Sequence, residues 1–176
     1  DVTERIVDEA AQKGCNLIVS HHPLIFRKLS RLTGEDYVQR CVMKALAQGI
    51  VILSLHTNMD NAKGGVNYKI AEKMGLEDVH FMSAKQMDGV EYGSGVVGSF
   101  AEPLAADDFV IMLKRVFGVE CVQTNELLRR PIRTVAICGG SGSFLLDDAV
   151  SAGIDAFVTG EMHYHEYFGR EQQIQI

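Results

Sequence analysis

Two stretches of the chain, "VDEAAQKGCNLIVSHH" at residues 7–22 and "LDDAVSAGIDAFVTGE" at residues 146–161, lie over one another with a constant offset and no gap. Asp8 falls on Asp147, Ala10 on Ala149, Gly14 on Gly153 and Val19 on Val158. Each stretch reads as a helix, a glycine stop and a short apolar strand. Such a unit cannot bury its apolar side alone. It needs a sheet neighbour and covering helices, which narrows the fold to α/β. A chance match is the alternative, since any α/β protein contains helix–glycine–strand units. On this overlay His21 corresponds to Gly160 and His22 to Glu161, so one strand end carries polar chemistry in both halves.

The rest of the chain fills in the same alternation. In "TERIVDEAAQKG", Ile6, Val7, Ala10 and Ala11 form a helical stripe that Asp1 or Thr3 can cap and Gly14 can end. "NLIVS" reads as a strand covered on both faces. "EDYVQRCVMKALAQG" reads as a helix, "IVILSL" as a strand, "HTNMDNAKGG" as a polar loop and "VNYKIAEKMGL" as a helix. "GSGVVGSF" suggests a bent strand, "LAADDFVIMLKRVFG" a helix and "VECVQT" a strand. "RTVAICGG", "SFLLDDAVSAG" and "IDAFVTGE" close the series as strand, helix and strand. The expected architecture is two pseudo-repeated α/β lobes with mainly parallel sheets flanked by helices. Lobe one covers about 1–85 and lobe two about 90–176 of a single family domain. The overlay also predicts further chain at both ends: a strand before Asp1, matching "RTVAICGG", and a continuation of "IQI" past Ile176, matching "IVILSL".

Charge and cysteine usage bound the setting. Seventeen Lys+Arg against 23 Asp+Glu give a net charge of −6, the wrong sign for neutralising nucleic-acid phosphates. Cys15, Cys41, Cys121 and Cys138 form no CxxC and sit in apolar surroundings, so they read as buried reduced thiols. No apolar run reaches the roughly 18 residues of a membrane span, and residues 1–15 show no signal-peptide pattern. These features predict a cytoplasmic protein that engages neither membrane nor nucleic acid.

The chemistry concentrates at strand ends, where α/β sheets place their ligands. In "LIVSHHPLIF", His21 and His22 end a strand and Pro23 biases His22 towards extended backbone. Neighbouring strand residues point to opposite faces, so the pair serves one site only if the backbone turns. Divergent imidazoles suit two metal ions, one each; a satisfied core or surface pair is the plainer reading. Asp60, in "LHTNMDN", is the natural bridging carboxylate, although a turn or cap role also fits it. His56 is better read as orienting Asp60 or a water. "TGEMHYHE" adds Glu161 as a candidate general base, with His165 for acid–base work and His163 in a supporting position. The turn "CGGSGSF", with Gly139, Gly140 and Gly142, offers a weak anion-binding reading beside that of a plain tight turn.

The blocks "LIVSHHPLIF", "LHTNMDNAKGGVN", "GVVGSF", "VAICGGSGSFL" and "DAFVTGEMHYHE" together resemble the dinuclear metal-centre proteins named after a yeast transcription-coactivator interacting factor. These form the Nif-three-like family, also called the GTP cyclohydrolase I type 2 family. The resemblance runs in order through essentially the whole chain. It implies a two-lobed α/β protein assembled as a toroidal homohexamer. It also implies two metals held by the paired histidines, the aspartate of the LHTNxD block, and a C-terminal histidine and glutamate. Motif by motif, this carries metal roles to His21, His22 and Asp60. The family's C-terminal His and Glu have no counterpart within residues 1–176, in line with the overlay.

The leading expectation is therefore a cytoplasmic, metal-binding, GTP cyclohydrolase type 2-like hydrolase with a dinuclear metal centre. Its cofactors are two divalent transition-metal ions, drawn from Zn, Mn, Fe, Co or Ni, and its substrate a small molecule or purine nucleotide. The alternative is a non-catalytic metal-binding scaffold or regulatory interaction protein.

Overall fold

A computed structural model describes residues 1–176. The chain divides into two compact units, Asp1–Met59 and Asp60–Ile176. The boundary falls well before the expected lobe division at 85–90, because residues 60–104 build onto the second core.

In the first unit, α1 (Glu4–Gln12) starts at Thr3, whose side chain accepts from the Ile6 amide at 3.4 Å. α2 (Tyr37–Ala47) starts at Asp36, which accepts from the Gln39 amide at 2.9 Å. Between and after these helices run β1 (Leu17–Ser20) and β2 (Val51–Ser54), paired in parallel with Leu17 opposite Val51 and Ser20 opposite Ser54. Val7 and Ala10 of α1 pack with Ile18 of β1, Cys41 and Ala45 of α2, and Ile50. β1 was expected to be covered on two faces. Only the Ile18 and Ile52 side packs on helices; Leu17, Val19, Val51 and Leu53 on the other side are exposed.

The short helix α3 (Thr57–Asp60) crosses the unit boundary, where the sequence suggested only a polar loop. The second unit then runs α4 (Val66–Met74), β3 (Glu77–Met87), β4 (Val90–Leu104) and α5 (Ala106–Phe117), followed by β5 (Ile132–Ser141), α6 (Leu146–Ser151) and β6 (Ala156–Glu161). α4 ends at Gly75, whose left-handed backbone (φ 73°) favours glycine. The sheet order is β3-β4-β5-β6; the first three strands run antiparallel and only β5 and β6 are parallel. The fold is α/β as expected, with a mixed sheet in place of a mainly parallel one. Alternation along β5 builds two cores. Val135 and Ile137 pack with Ala71 of α4 and Phe109 of α5, whereas Ala136 and Cys138 pack with Leu146 and Ala149 of α6.

Sequence reading missed β3, and "VECVQT" forms no strand. The segment after it is held instead by side-chain amides: Asn125 donates to the Ile174 carbonyl (2.8 Å), and Gln175 accepts from the Leu128 amide (2.9 Å). Residues 174–176 lie along β6 in parallel, with the Phe157 amide donating to the Gln175 carbonyl at 2.7 Å. Helix, strand and parallel neighbour thus recur in both halves. All four cysteines are free thiols; Cys41 and Cys138 are buried, but Cys15 and Cys121 are exposed, contrary to expectation.

Candidate metal centre

β1 stops at Ser20, and the backbone bends at His21 and His22. Ser20 Oγ donates to the His22 carbonyl at 2.9 Å and lies 2.9 Å from Ser54 Oγ, so both strand ends brace the bend. The ladder continues one step further, with the His56 amide donating to the His21 carbonyl at 2.8 Å. As a result the bend brings three imidazoles together. The His21 and His22 ring centroids are 4.8 Å apart at 80°; His56 lies 5.8 Å from His21 and 5.9 Å from His22. His56 has φ 35°, a left-handed conformation that costs a non-glycine residue about 1 kcal/mol or more. His22 Nδ1 lies 2.8 Å from Asp1 Oδ1. A proton on Nδ1 donated to that carboxylate leaves Nε2 with the lone pair, the tautomer a metal ligand needs.

Asp60 belongs to the second unit. Its carbonyl accepts from Asn67 Nδ2 at 3.0 Å, and Asn67 Oδ1 accepts from the Gly139 amide at 2.7 Å. The next carbonyl, of Asn61, accepts from the Gly93 amide of β4 at 3.1 Å. Cys138 lies close enough to feel the Asp60 charge: burial first, and that charge second, push its thiol up to about 11. It is therefore neutral at pH 7 and a poor nucleophile.

The β5–β6 strand ends gather the remaining candidates. Glu161 sits opposite Ser141 and is exposed, and with Thr159 and Gly139 it lines a cavity of about 790 Å³. Apolar side chains including Phe109, Leu113 and Phe157 also line that cavity. The Gly139 and Gly142 amides are already committed, to Asn67 Oδ1 (2.7 Å) and Thr159 Oγ1 (3.0 Å) respectively. The glycine turn therefore does not present these two donors to an anion. His163 caps the short 3-10 helix Tyr164–Tyr167 through a reciprocal pair with Glu166, whose carboxylate accepts from the His163 amide at 2.8 Å. His165 is exposed, with its ring 5.4 Å from that of Tyr164.

The structure thus brings His21, His22 and His56 together in one unit, and Glu161 with the glycine turn in the other. Imidazole and carboxylate donors suit borderline divalent ions such as Zn, Mn, Fe, Co or Ni. No three His, Cys, Asp or Glu side chains form a group able to hold a metal ion by themselves, so the imidazole cluster is not a closed cage. The residues present fit a metal to that extent.

The sequence model of the Duf34/NIF3 (NGG1p interacting factor 3) family matches residues 1–176. The chain belongs to the DUF34/NIF3 family. It is 33% identical over 165 residues to a "GTP cyclohydrolase 1 type 2 homolog" of Clostridium perfringens, covering 94% of this chain and 63% of that protein. It is 32% identical over 183 residues to "NGG1-interacting factor 3" of Saccharomyces cerevisiae, covering 94% of this chain and 62% of that protein. This DUF34/NIF3 chain therefore spans a little under two thirds of the length of these relatives. Among solved structures, the Staphylococcus aureus protein SA1388 superposes with a TM-score of 0.88 at 26% identity, covering 99% of this chain and 70% of that one. A Bacillus cereus protein related to NIF3 shares the fold with a TM-score of 0.88 at 24% identity, covering 100% of this chain and 75% of that one.

Sequence reasoning did not single out Asn67, Ser20 or Ser54. A signal for Asn67 was present: it shares the stripe of Ala71 and Met74, which places an amide among core positions. A buried amide requires partners.

Proposed function

We propose that this DUF34/NIF3 protein is a dinuclear metal-binding protein and a metal-dependent hydrolase of a purine nucleotide. The observation that carries the reading is the three-imidazole cluster at the carboxyl ends of β1 and β2, with a strained His56 backbone maintained within it. Strain held at a strand end is characteristic of functional sites. Relatives named as GTP cyclohydrolase 1 type 2 homologs support the substrate class.

In this reading His21 and His22 bind metal through imidazole nitrogen and Asp60 through carboxylate oxygen. Asp1 holds the His22 tautomer, and His56 orients the cluster. Glu161 and His165 carry the acid–base work, Glu161 accepting a proton at its carboxylate and His165 returning one at the imidazole. When bound, a pair of divalent ions supplies water activated near neutral pH for attack on carbon or phosphorus. The protein acts as a homohexamer.

Metal analysis of the full-length protein tests the centre. The expected result is about two transition-metal ions per chain, reduced by His21→Ala and by Asp60→Ala. A metal-free wild type would overturn it. Chromatography of GTP incubated with metal-loaded protein tests catalysis separately. Consumption of GTP supports the hydrolase; a metal-loaded protein that leaves GTP and related purine nucleotides intact is a scaffold.

A further inference from the structure

Asn67 is almost fully buried, at 2% exposure, in the first turn of α4. Its side-chain bonds leave the helix altogether. Nδ2 donates to the Asp60 carbonyl (3.0 Å) and Oδ1 accepts from the Gly139 amide (2.7 Å). α4 takes no cap from it; the helix begins at Gly65 without a side-chain cap. The buried amide is thus spent on joining the Asp60 backbone to the end of β5. The adjoining Asn61 carbonyl is fixed independently by the Gly93 amide at 3.1 Å. Two successive carbonyls are therefore tied to the sheet, and the backbone from which the Asp60 carboxylate projects has little freedom. The Gly139 amide lies where the β5–β6 register shifts, between Cys138 and Ser141, so the strand ladder does not supply its acceptor. Only a side chain with donor and acceptor on one short planar group can serve both partners. Asparagine does so; aspartate lacks the donor and glutamine is one methylene longer.

We infer that Asn67 is a positioning residue that fixes the backbone of Asp60 against the end of β5 and so presets the aspartate for metal binding. The inference rests on Asp60 being a metal ligand. It goes beyond the ligand set by naming the residue on which ligand geometry depends.

The test uses full-length wild-type, Asp60→Ala and Asn67→Asp proteins loaded with Co²⁺. Asn67→Asp keeps the acceptor for Gly139 and removes the donor to Asp60. Groups that orient ligands typically contribute tenfold to hundredfold in metal affinity. The expected result is a loss of about that size in Asn67→Asp, together with altered visible absorption bands at saturating Co²⁺. A purely structural role would lower the melting temperature but leave the Co²⁺ spectrum unchanged. Loss of Co²⁺ in Asp60→Ala with unaltered affinity and spectrum in Asn67→Asp overturns this inference and spares the metal centre. Equal Co²⁺ binding in wild type and Asp60→Ala overturns the ligand role of Asp60, and a wild type without Co²⁺ overturns the centre itself; each removes the inference with it. If Asn67→Asp does not fold, hydrogen exchange on the wild type decides. Co²⁺ loading must slow exchange of the Gly139 amide, and unchanged protection overturns the inference.

Discussion

His21 and His22 reach one cluster because β1 stops at Ser20 and the backbone bends immediately after it. Their adjacency in "SHHP" was legible in the sequence, as was the need for a turn. His56 was legible as a supporting residue, but its place beside both rings was not, because nothing in "LHTN" announces the bond from the His56 amide to the His21 carbonyl. The left-handed backbone of His56 yields a prediction at this scale. Glycine adopts φ 35° without a side-chain penalty, so His56→Gly removes strain while deleting an imidazole. Relief of up to about 1 kcal/mol is expected in the metal-free protein, and metal affinity should fall about tenfold. Denaturant unfolding and metal titration of the same variant check the two halves. If unfolding free energy and metal affinity both stay at wild-type values, the residue is neither strained nor functional.

At the level of elements, periodicity revealed the longer helices and most of the apolar strands, and the overlay matched "IQI" to the strand "IVILSL"; residues 174–176 lie beside β6. β3 stayed hidden because it is an edge strand whose only buried residue is Phe81. Its turn was nevertheless written in "MDGV": Asp88 and Gly89 both have positive φ (52° and 77°), the two-residue hairpin geometry that Asp-Gly favours. The glycines at the end of β5 have a packing reason of their own. A Cβ at Gly142 would meet the Cys138 carbonyl at 2.8 Å and Thr159 Oγ1 at 2.9 Å. Glycine there permits strand-end packing. Gly142→Ala should therefore destabilise the fold by about 2 kcal/mol, read by denaturant unfolding; a variant as stable as wild type would mean that the turn shifts freely to admit the methyl group.

Asp155 joins the same two strands and gives them an expected acid sensitivity. Its Oδ2 accepts from the Arg133 amide (2.9 Å), the Thr134 amide (2.8 Å) and the Thr134 hydroxyl (2.9 Å), and Arg130 pairs with its other oxygen. Burial pushes this carboxyl up. The hydrogen bonds from the Thr134 and Arg133 amides, the Arg130 guanidinium and the Thr134 hydroxyl outweigh that and hold it below its ordinary value. A carboxyl lowered on folding contributes stability above its unfolded pKa of about 3.9, and that stability is lost as pH falls through the folded value. Denaturation across pH 2–7 should show this loss below about pH 4, and Asp155→Ala should flatten it while lowering stability at neutral pH. An unchanged acid slope in the variant would assign the response to other carboxylates.

For the whole molecule, the pseudo-repeat recurs in both halves, but the chain divides earlier than the expected lobe boundary at 85–90. The hairpin of β3 and β4 looks like a link in sequence, yet it pairs into the second sheet, so the units divide at Met59 and Asp60. The two units differ in how their sheets are supported. β5 has a strand on either side and a core on each face, whereas β1 and β2 form a two-stranded sheet with helices packed on one face. Two-stranded sheets are marginal without covering elements, and local opening follows such differences. Native-state hydrogen exchange should therefore find the amides of Val135–Ile137 among the slowest and those of Ile18–Ser20 at least about tenfold faster. Binding to the folded state adds stability in proportion to ligand occupancy. Metal loading should thus slow the Leu55 and His56 amides, which bond to the Ser20 and His21 carbonyls, far more than the interior of β5. Uniform slowing would mean that the molecule opens only as a whole. Slowing confined to β5 would place the metal away from the imidazole cluster.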